Sequence, residues 1–256
     1  MNYKESVISL LKQLKQEYRI QFIKAEFEAE GCRKDELIML REFVYKADLG
    51  LIIKIGGCEA VHDLDQCKLL DATGVMAPMI ETPFAMKKFE QAAKKVYGDD
   101  IKKVEWIINA ETKTCRSNYD EILKQGAGFL SAVTVGRSDL SSSMGIERKD
   151  IECDAVFDAT YELVTKSKAA GLVTNFGGNI GVESIPFILR MGDTIDRFET
   201  RKTVLTPSKD PVFLKDAIQC ALRFELEYLR FKSDYYGTMA HEDAARIVRM
   251  EKQLAL

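Results

Sequence analysis

A single (β/α)₈ TIM barrel, with an N-terminal helix and a C-terminal helical extension, is the fold the sequence predicts, and three observations predict it. Short apolar runs with strand-like alternation give way repeatedly to helical patterns of roughly ten to fifteen residues, which is how parallel β/α proteins read. The chain has 256 residues, close to the ~250 that one such barrel uses. No internal repeat, low-complexity tract or Ser/Gly linker marks a second domain. The expected organisation is therefore one barrel domain over 1–256, with an N-terminal helix at 1–19, the barrel at 20–210 and helices at 211–256.

The elements follow in order. After the opening helix, IQFIKAEFE (20–28) alternates as strand one, and KDELIMLREFVYKA is the helix behind it. LGLIIKIGG (49–57) is strand two, ending in a glycine pair, followed by the helix AVHDLDQCKLLDA. GVMAPMIE (74–81) is strand three. Pro83 stands at the first turn of the next helix, where its missing N–H costs nothing, and Gly98 is placed to cap that helix's end. VEWIINAE (104–111) is strand four with SNYDEILKQG as its helix, and FLSAVTVG (129–136) is strand five, leading into a polar loop, RSDLSSSMG. A long helix, CDAVFDATYELVTKSKAAG, precedes strand six, LVTNFGGN (172–179). VESIPFILRMG reads as a helix weakened by Pro186, and DRFETRKTVL (196–205) as one further strand. From Pro211 onward the pattern is helical, so the barrel closes with a short eighth strand that the pattern does not reveal, or finishes in helices packed on a neighbouring subunit.

With 46% hydrophobic and 30% charged residues and a net charge of −3, the composition is that of an ordinary globular protein. Lysine pairs such as Lys87-Lys88, Lys94-Lys95 and Lys102-Lys103 are scattered along amphipathic segments, so no basic stripe suggests nucleic acid. No apolar run approaches the roughly 18–20 residues needed to span a bilayer, and the N-terminal segment has neither the apolar core nor the cleavage site of an export signal. A cytoplasmic protein that binds neither membrane nor nucleic acid is expected. Six separated cysteines without a C-x-x-C pair predict reduced thiols rather than a zinc site or a disulfide framework.

In a parallel barrel the reacting groups gather at the C-terminal ends of the strands, around one mouth. Glu111 closes strand four and Asp139 lies three residues past strand five, so both carboxylates are expected at that mouth from adjacent strands. Two oxygen ligands with open positions suit Mg²⁺ or Mn²⁺. The plainer alternative is that Glu111 caps the following helix and Asp139 steadies a Ser-rich turn. Gly136 and the residues after it could also aim backbone N–H groups at an anion, as a nest does.

Three segments carry a family likeness. GVMAPMIETPFAM, INAETKTCRSNYDEIL and TVGRSDLSSSMG resemble, in order and at close to the right spacing, three motifs of the class II pyruvate aldolase and citrate lyase β-chain family, also called HpcH/HpaI. The likeness covers roughly residues 50–195. It implies that Glu111 and Asp139 hold Mg²⁺ or Mn²⁺. The metal would serve an enolate of pyruvate or oxaloacetate type, and the N–H groups of Gly136, Arg137 and Ser138 would hold the substrate carboxylate. It further implies a homo-oligomer, a trimer or hexamer, to which the surplus apolar surface of the C-terminal segment also points.

Two departures stand out. The family's strand-two arginine matches Lys54, which brings charge but not a bidentate fork. The family's D-x-E-H segment lines up with Glu26, Phe27, Glu28 and Ala29, so its proton-transferring histidine is missing. His62 and His241, the chain's two histidines, fall on helices. By their spacing of two, Lys24, Glu26 and Glu28 share one face of strand one, either to exchange protons or as a charge network with Lys54. Arg137 and Arg201 are the residues that could recognise a second anionic group.

The expected activity is thus a metal-dependent carbon–carbon lyase or aldolase acting on a 2-keto acid, with a phosphorylated or sugar aldehyde as a second partner. Lys54, Arg137 and Glu28 carry the chemistry in this reading, and Gly136, Arg137, Ser138 and Lys54 bind substrate. Two rivals keep the same fold. One is a condensing enzyme joining pyruvate or phosphoenolpyruvate to an aldehyde sugar or acyl group. The other is a non-catalytic barrel acting as a subunit or ligand sensor.

Overall fold

The computed structural model describes residues 3–27 and 30–254. Glu28, expected to take part in catalysis, lies outside the described residues. Helix α1 (Tyr3–Tyr18) leads into β1 (Phe22–Glu26), and then strands and helices alternate: α2 (Lys34–Lys46), β2 (Gly50–Lys54), α3 (Val61–Leu69), β3 (Gly74–Ala77), α4 (Pro83–Tyr97) and β4 (Glu105–Ala110). The second half continues with α5 (Lys113–Ser117), α6 (Tyr119–Gly126), β5 (Ala132–Gly136), α7 (Arg137–Ser143), α8 (Asp154–Ala169), β6 (Val173–Gly177) and α9 (Ile185–Met191). The closing elements are β7 (Arg197–Glu199), β8 (Thr203–Leu205) and α10 (Pro211–Leu254). The eight strands form a closed barrel in sequence order. No helix among the described residues is long and apolar enough to cross a membrane.

Local signals behave as their chemistry dictates. Thr82 caps α4, its hydroxyl accepting from the Ala85 N–H at 3.1 Å, with Pro83 in the first turn and Gly98 beyond the last at φ +55°. All six cysteines are free.

Three expectations need correction. The segment 196–205 is not one strand. β7 and β8 form an antiparallel hairpin, and β8 then pairs antiparallel with β1 to close the barrel. Residues 200–202 contain no Gly, Pro, Asn or Asp to mark the reversal. Instead the Thr200 hydroxyl accepts from the Thr203 N–H at 3.1 Å, and the Thr200 N–H donates to the Thr203 carbonyl at 3.0 Å. Second, RSDLSSSMG is not a loop, since its first seven residues form α7 directly after β5. Third, the helix expected over 182–192 begins as a 3-10 turn, Val182–Ser184, and becomes α9 only at Ile185, with Pro186 in its first turn.

Alternation along the strands sorts side chains into two cores. Outward residues such as Ile53, Val75, Ile108, Val133 and Phe176 pack against the helices. Inward, Phe22, Ile52, Met76, Ile107, Ala132 and Val204 form a separate apolar cluster at the barrel floor. Beneath it Arg197 pairs with Glu105 at 2.8 and 3.1 Å and lies 4.6 Å from the Phe22 ring centre.

Candidate active site

Two residues further along the same strands, the inward positions turn polar: Lys24 after Phe22, Lys54 after Ile52, Asn109 after Ile107, Thr134 after Ala132. Asn109, Thr134 and Asn175 lie in register across β4, β5 and β6. Above them the mouth holds a cavity of about 450 Å³. Its lining includes Glu26, Lys54, Glu111, Gly136, Ser138, Asp139 and Glu199. Glu111 and Asp139 thus meet at one opening, as the strand-end argument expects. No histidine faces it, because His62 is exposed on α3 and His241 is exposed on α10.

Glu111 is 1% exposed. It does not cap the following helix, because the Thr112 hydroxyl does so, accepting from Cys115 N–H at 3.1 Å. The freed carboxylate accepts from the Met79 N–H at 3.0 Å and from the Asn109 amide at 2.9 Å, while Lys54 Nζ stands 3.7 Å away. Met79 reaches this position with φ +50°, a conformation that costs a non-glycine residue about 1–2 kcal/mol. Burial pushes the Glu111 carboxyl above its ordinary value and the charge of Asp139 adds to the rise, against the pull of Lys54, the Met79 N–H and Asn109. Asp139 stands exposed in the first turn of α7. A buried carboxylate whose proton affinity a neighbouring carboxylate adds to calls for positive charge beside it.

The donor set fits a hard divalent cation. Each carboxylate oxygen carries two lone pairs, and on Glu111 each oxygen accepts one hydrogen bond, from Met79 or from Asn109, leaving the other lone pairs for a ligand. Gly136 makes this approach possible, because a Cβ there would sit 2.6 Å from Glu111 Oε2. Among the described residues no group of three or more His, Cys, Asp or Glu side chains forms a cation cluster, so water and substrate would complete the coordination.

Lys54 bridges the two acidic groups of its side of the mouth, 3.7 Å from both Glu26 and Glu111. Across the barrel, buried Lys24 is ion-paired with Glu199, whose other oxygen accepts from Asn175 at 2.6 Å. Asn175 donates also to the Thr134 hydroxyl at 3.0 Å. Burial works to lower the Lys24 ammonium, but Glu199, Glu26 and Glu30 outweigh it and hold the group above its usual range. Strand one therefore contributes charges to the interior, as its alternation predicts. The partner of Lys24, Glu199, comes from a late strand, and local spacing gives no sign of it.

Arg137 is the clearest correction. Its side chain is fully buried and turned away from the mouth cavity. The guanidinium binds Glu152 at 2.9 and 3.2 Å, donates to the carbonyls of Gly177 and Gly178 at 3.3 and 2.9 Å, and stacks 4.3 Å from the Phe187 ring centre. Burial lowers its proton affinity, and Glu152 and Glu183 oppose this. The guanidinium is thus taken up by Glu152 and the loop after β6, and the mouth is lined on either side of residue 137, by Gly136 and Ser138. A Cβ on Gly178 would lie 2.6 Å from the Ser138 nitrogen and 3.0 Å from that of Arg137, so only a residue without a side chain lets this loop lie against the start of α7. Arg201, at the hairpin, lines the cavity but is paired with Glu30 at 3.2 Å.

Comparison with known proteins bears on the family and on the fold. A family model described as HpcH/HpaI aldolase/citrate lyase matches residues 33–177, more than half of the chain. Among solved structures, an HpcH/HpaI aldolase from Desulfitobacterium hafniense is similar with a TM-score of 0.63 at 14% identity, covering 78% of this chain and 83% of that one. An HpcH/HpaI aldolase/citrate lyase family protein from Burkholderia cenocepacia gives 0.63 at 14%, over 89% and 90%. The citrate synthase SbnG gives 0.59 at 15%, over 89% and 90%. At such identities these likenesses speak for the fold. Over 117 residues, 42% of the chain, the sequence is 26% identical to a Pyrococcus horikoshii protein named "Probable phosphoenolpyruvate synthase", and it spans 14% of that protein's length.

Proposed function

The chain belongs to the HpcH/HpaI aldolase/citrate lyase family, and from that premise we propose that it is a divalent-metal-dependent carbon–carbon lyase acting on a 2-keto acid, with Glu111 and Asp139 as the protein's metal ligands. What supports the reading above all is that these two carboxylates line one cavity and that the charge of Asp139 adds to the raised proton affinity of Glu111. A Mg²⁺ or Mn²⁺ ion held there supplies Lewis-acid stabilisation of the negative charge of an enolate.

The chain's own residues do the rest. The backbone N–H groups around Gly136 and Ser138, which line the cavity, orient the substrate carboxylate. Lys54 places a second positive charge beside the enolate oxygen, in the position where the family has arginine. Glu26 stands next to Lys54 with no hydrogen bond to its carboxylate among the described residues, which leaves it free to exchange a proton with substrate carbon. Cleavage of a 4-hydroxy-2-keto acid then breaks C3–C4, removes the proton of the C4 hydroxyl as the aldehyde forms, and returns one proton to C3.

Titration of Mn²⁺ into the wild-type protein and into Glu111→Gln tests the metal assignment, with a much weaker affinity expected in the variant. Equal affinities would overturn it. The activity itself is read by proton nuclear magnetic resonance as exchange of the C3 protons of pyruvate with D₂O, expected only when the metal is present. A metal-loaded protein that leaves those protons in place is not a pyruvate lyase.

A further inference from the structure

Resting on the lyase reading, we infer that the aldehyde half of the substrate carries an anionic group, a carboxylate or a phosphate, and that Arg148 is the residue that selects for it. The mouth cavity of about 450 Å³ is of the size that holds drug-sized ligands, roughly 300–1,000 Å³, and greatly exceeds a three-carbon acid. It adjoins a second cavity of about 490 Å³ lined by Ser138, Ser141, Ser142 and Gly145 of the α7 region. Ser138 and Arg148 line both, so a substrate anchored at the metal carboxylates extends past Ser138 toward Arg148.

Charge singles out this arginine. Four cations line the mouth: Lys24 is paired with Glu199, Lys54 with Glu26 and Glu111, and Arg201 with Glu30. Arg148 has no carboxylate partner among the described residues. Its Nε and Nη2 both donate to the neutral amide oxygen of Asn179, at 3.2 and 2.9 Å. That contact holds one edge of the guanidinium and leaves the Nη1–Nη2 end free, the edge that binds a carboxylate or phosphate with two parallel hydrogen bonds.

The holder is itself built in. Asn179 adopts φ +54°, a conformation asparagine tolerates better than most residues, directly after Gly178 at φ +95°. The buried Arg137 clamps the same loop from behind through the carbonyls of Gly177 and Gly178. Two arginines thus grip one loop. The inner one is neutralised by Glu152, and the outer one keeps its charge for a ligand.

The test uses the Mn²⁺-loaded protein, pyruvate and three aldehydes: glyceraldehyde, which is neutral, glyoxylate, which carries a carboxylate, and glyceraldehyde 3-phosphate. Wild type, Arg148→Met and Arg148→Lys are compared. Arg148→Met is expected to lower kcat/KM for the preferred charged aldehyde by about 10- to 100-fold, with glyceraldehyde and pyruvate C3 exchange little changed and Arg148→Lys intermediate. The charged aldehyde that responds tells carboxylate from phosphate. An equal loss for neutral and charged aldehydes, or no loss for either charged one, overturns the inference. Should wild type fail to exchange pyruvate protons, the lyase reading falls, and calorimetric binding of inorganic phosphate and of malonate then decides the role of Arg148. Weaker binding of either anion to Arg148→Met supports it, and equal or absent binding in both proteins refutes it.

Discussion

The floor and the mouth of this barrel are built from the same strands, two residues apart, about 7 Å of rise, yet they are opposite in character. Phe22, Ile52, Ile107 and Ala132 give way to Lys24, Lys54, Asn109 and Thr134. At the floor, burial is favourable by itself, at roughly 25 cal/mol per Å² of apolar surface. At the mouth each buried charge is tolerated because another meets it, Lys24 with Glu199 and Lys54 with Glu26 and Glu111. The floor therefore serves stability, and the mouth spends part of it to keep charged groups poised around a cavity.

The sharpest way to break that contrast is to remove one charge. Lys24→Met leaves Glu199 buried without its partner and should cost about 3–5 kcal/mol in urea denaturation. The double variant Lys24→Met/Glu199→Met should recover most of the loss, and a double variant no more stable than the single one would mean that the pair is not mutually compensated. Ile107→Ala, at the floor, should cost about 2–4 kcal/mol through the cavity it opens. Its Mn²⁺ affinity should stay within about twofold of wild type, since additivity holds for sites without shared partners. A tenfold loss of affinity would show that floor and mouth are one unit.

Gly136→Ala probes the mouth itself. Its Cβ would meet the Glu111 carboxylate at 2.6 Å, so a stability loss of about 1–3 kcal/mol from overpacking should come with Mn²⁺ binding weaker by about tenfold or more. Stability lost with affinity intact would show that Glu111 shifts without harm.

The smallest effect is in acid. Burial raises the Glu30 carboxyl, but the ammonium of Lys202, with help from Cys32 and Arg201, more than offsets this and holds it below its ordinary value of 4.5. A carboxyl with a depressed folded-state pKa stabilises the fold above that ordinary value and ceases to do so as pH falls through the folded one. Glu30→Gln should therefore be less stable than wild type at pH 7, with the gap closing below about pH 4.5. A gap of constant size from pH 7 to pH 3 would assign the stabilisation to packing instead.

The sequence makes some of this plain and hides the rest for identifiable reasons. Six strands could be placed from period alone, because an apolar run bounded by helical spacing is a local property. Glu111 and Asp139 follow from strand ends for the same reason. The β7–β8 hairpin is hidden, since Thr200, Arg201 and Lys202 continue the alternation without a turn residue. The burial of Arg137 is hidden too: a loop arginine reads as exposed, and its partners are Glu152, Gly177 and Gly178, supplied by elements that meet it only in the fold. Lys24 and Glu199 lie 175 positions apart, so their pairing appears only once the barrel has closed.

That closing hairpin also reverses the last helix. Because β8 descends, the chain leaves the barrel at the floor, and α10 must climb the outer wall, bringing Leu222 and Glu225 to the rim. Glu225 there accepts from the Thr200 hydroxyl and from the Lys202 N–H at 2.9 Å. With 44 residues α10 measures about 66 Å at 1.5 Å per residue, and most of that length lies past the rim. Beyond Glu225 the helix is tied to the start of α2, by Lys232 to Glu36 at 2.9 Å and by the Tyr235 hydroxyl to Asp35 at 3.2 Å, so it braces α2 and the turn that carries Arg201 together.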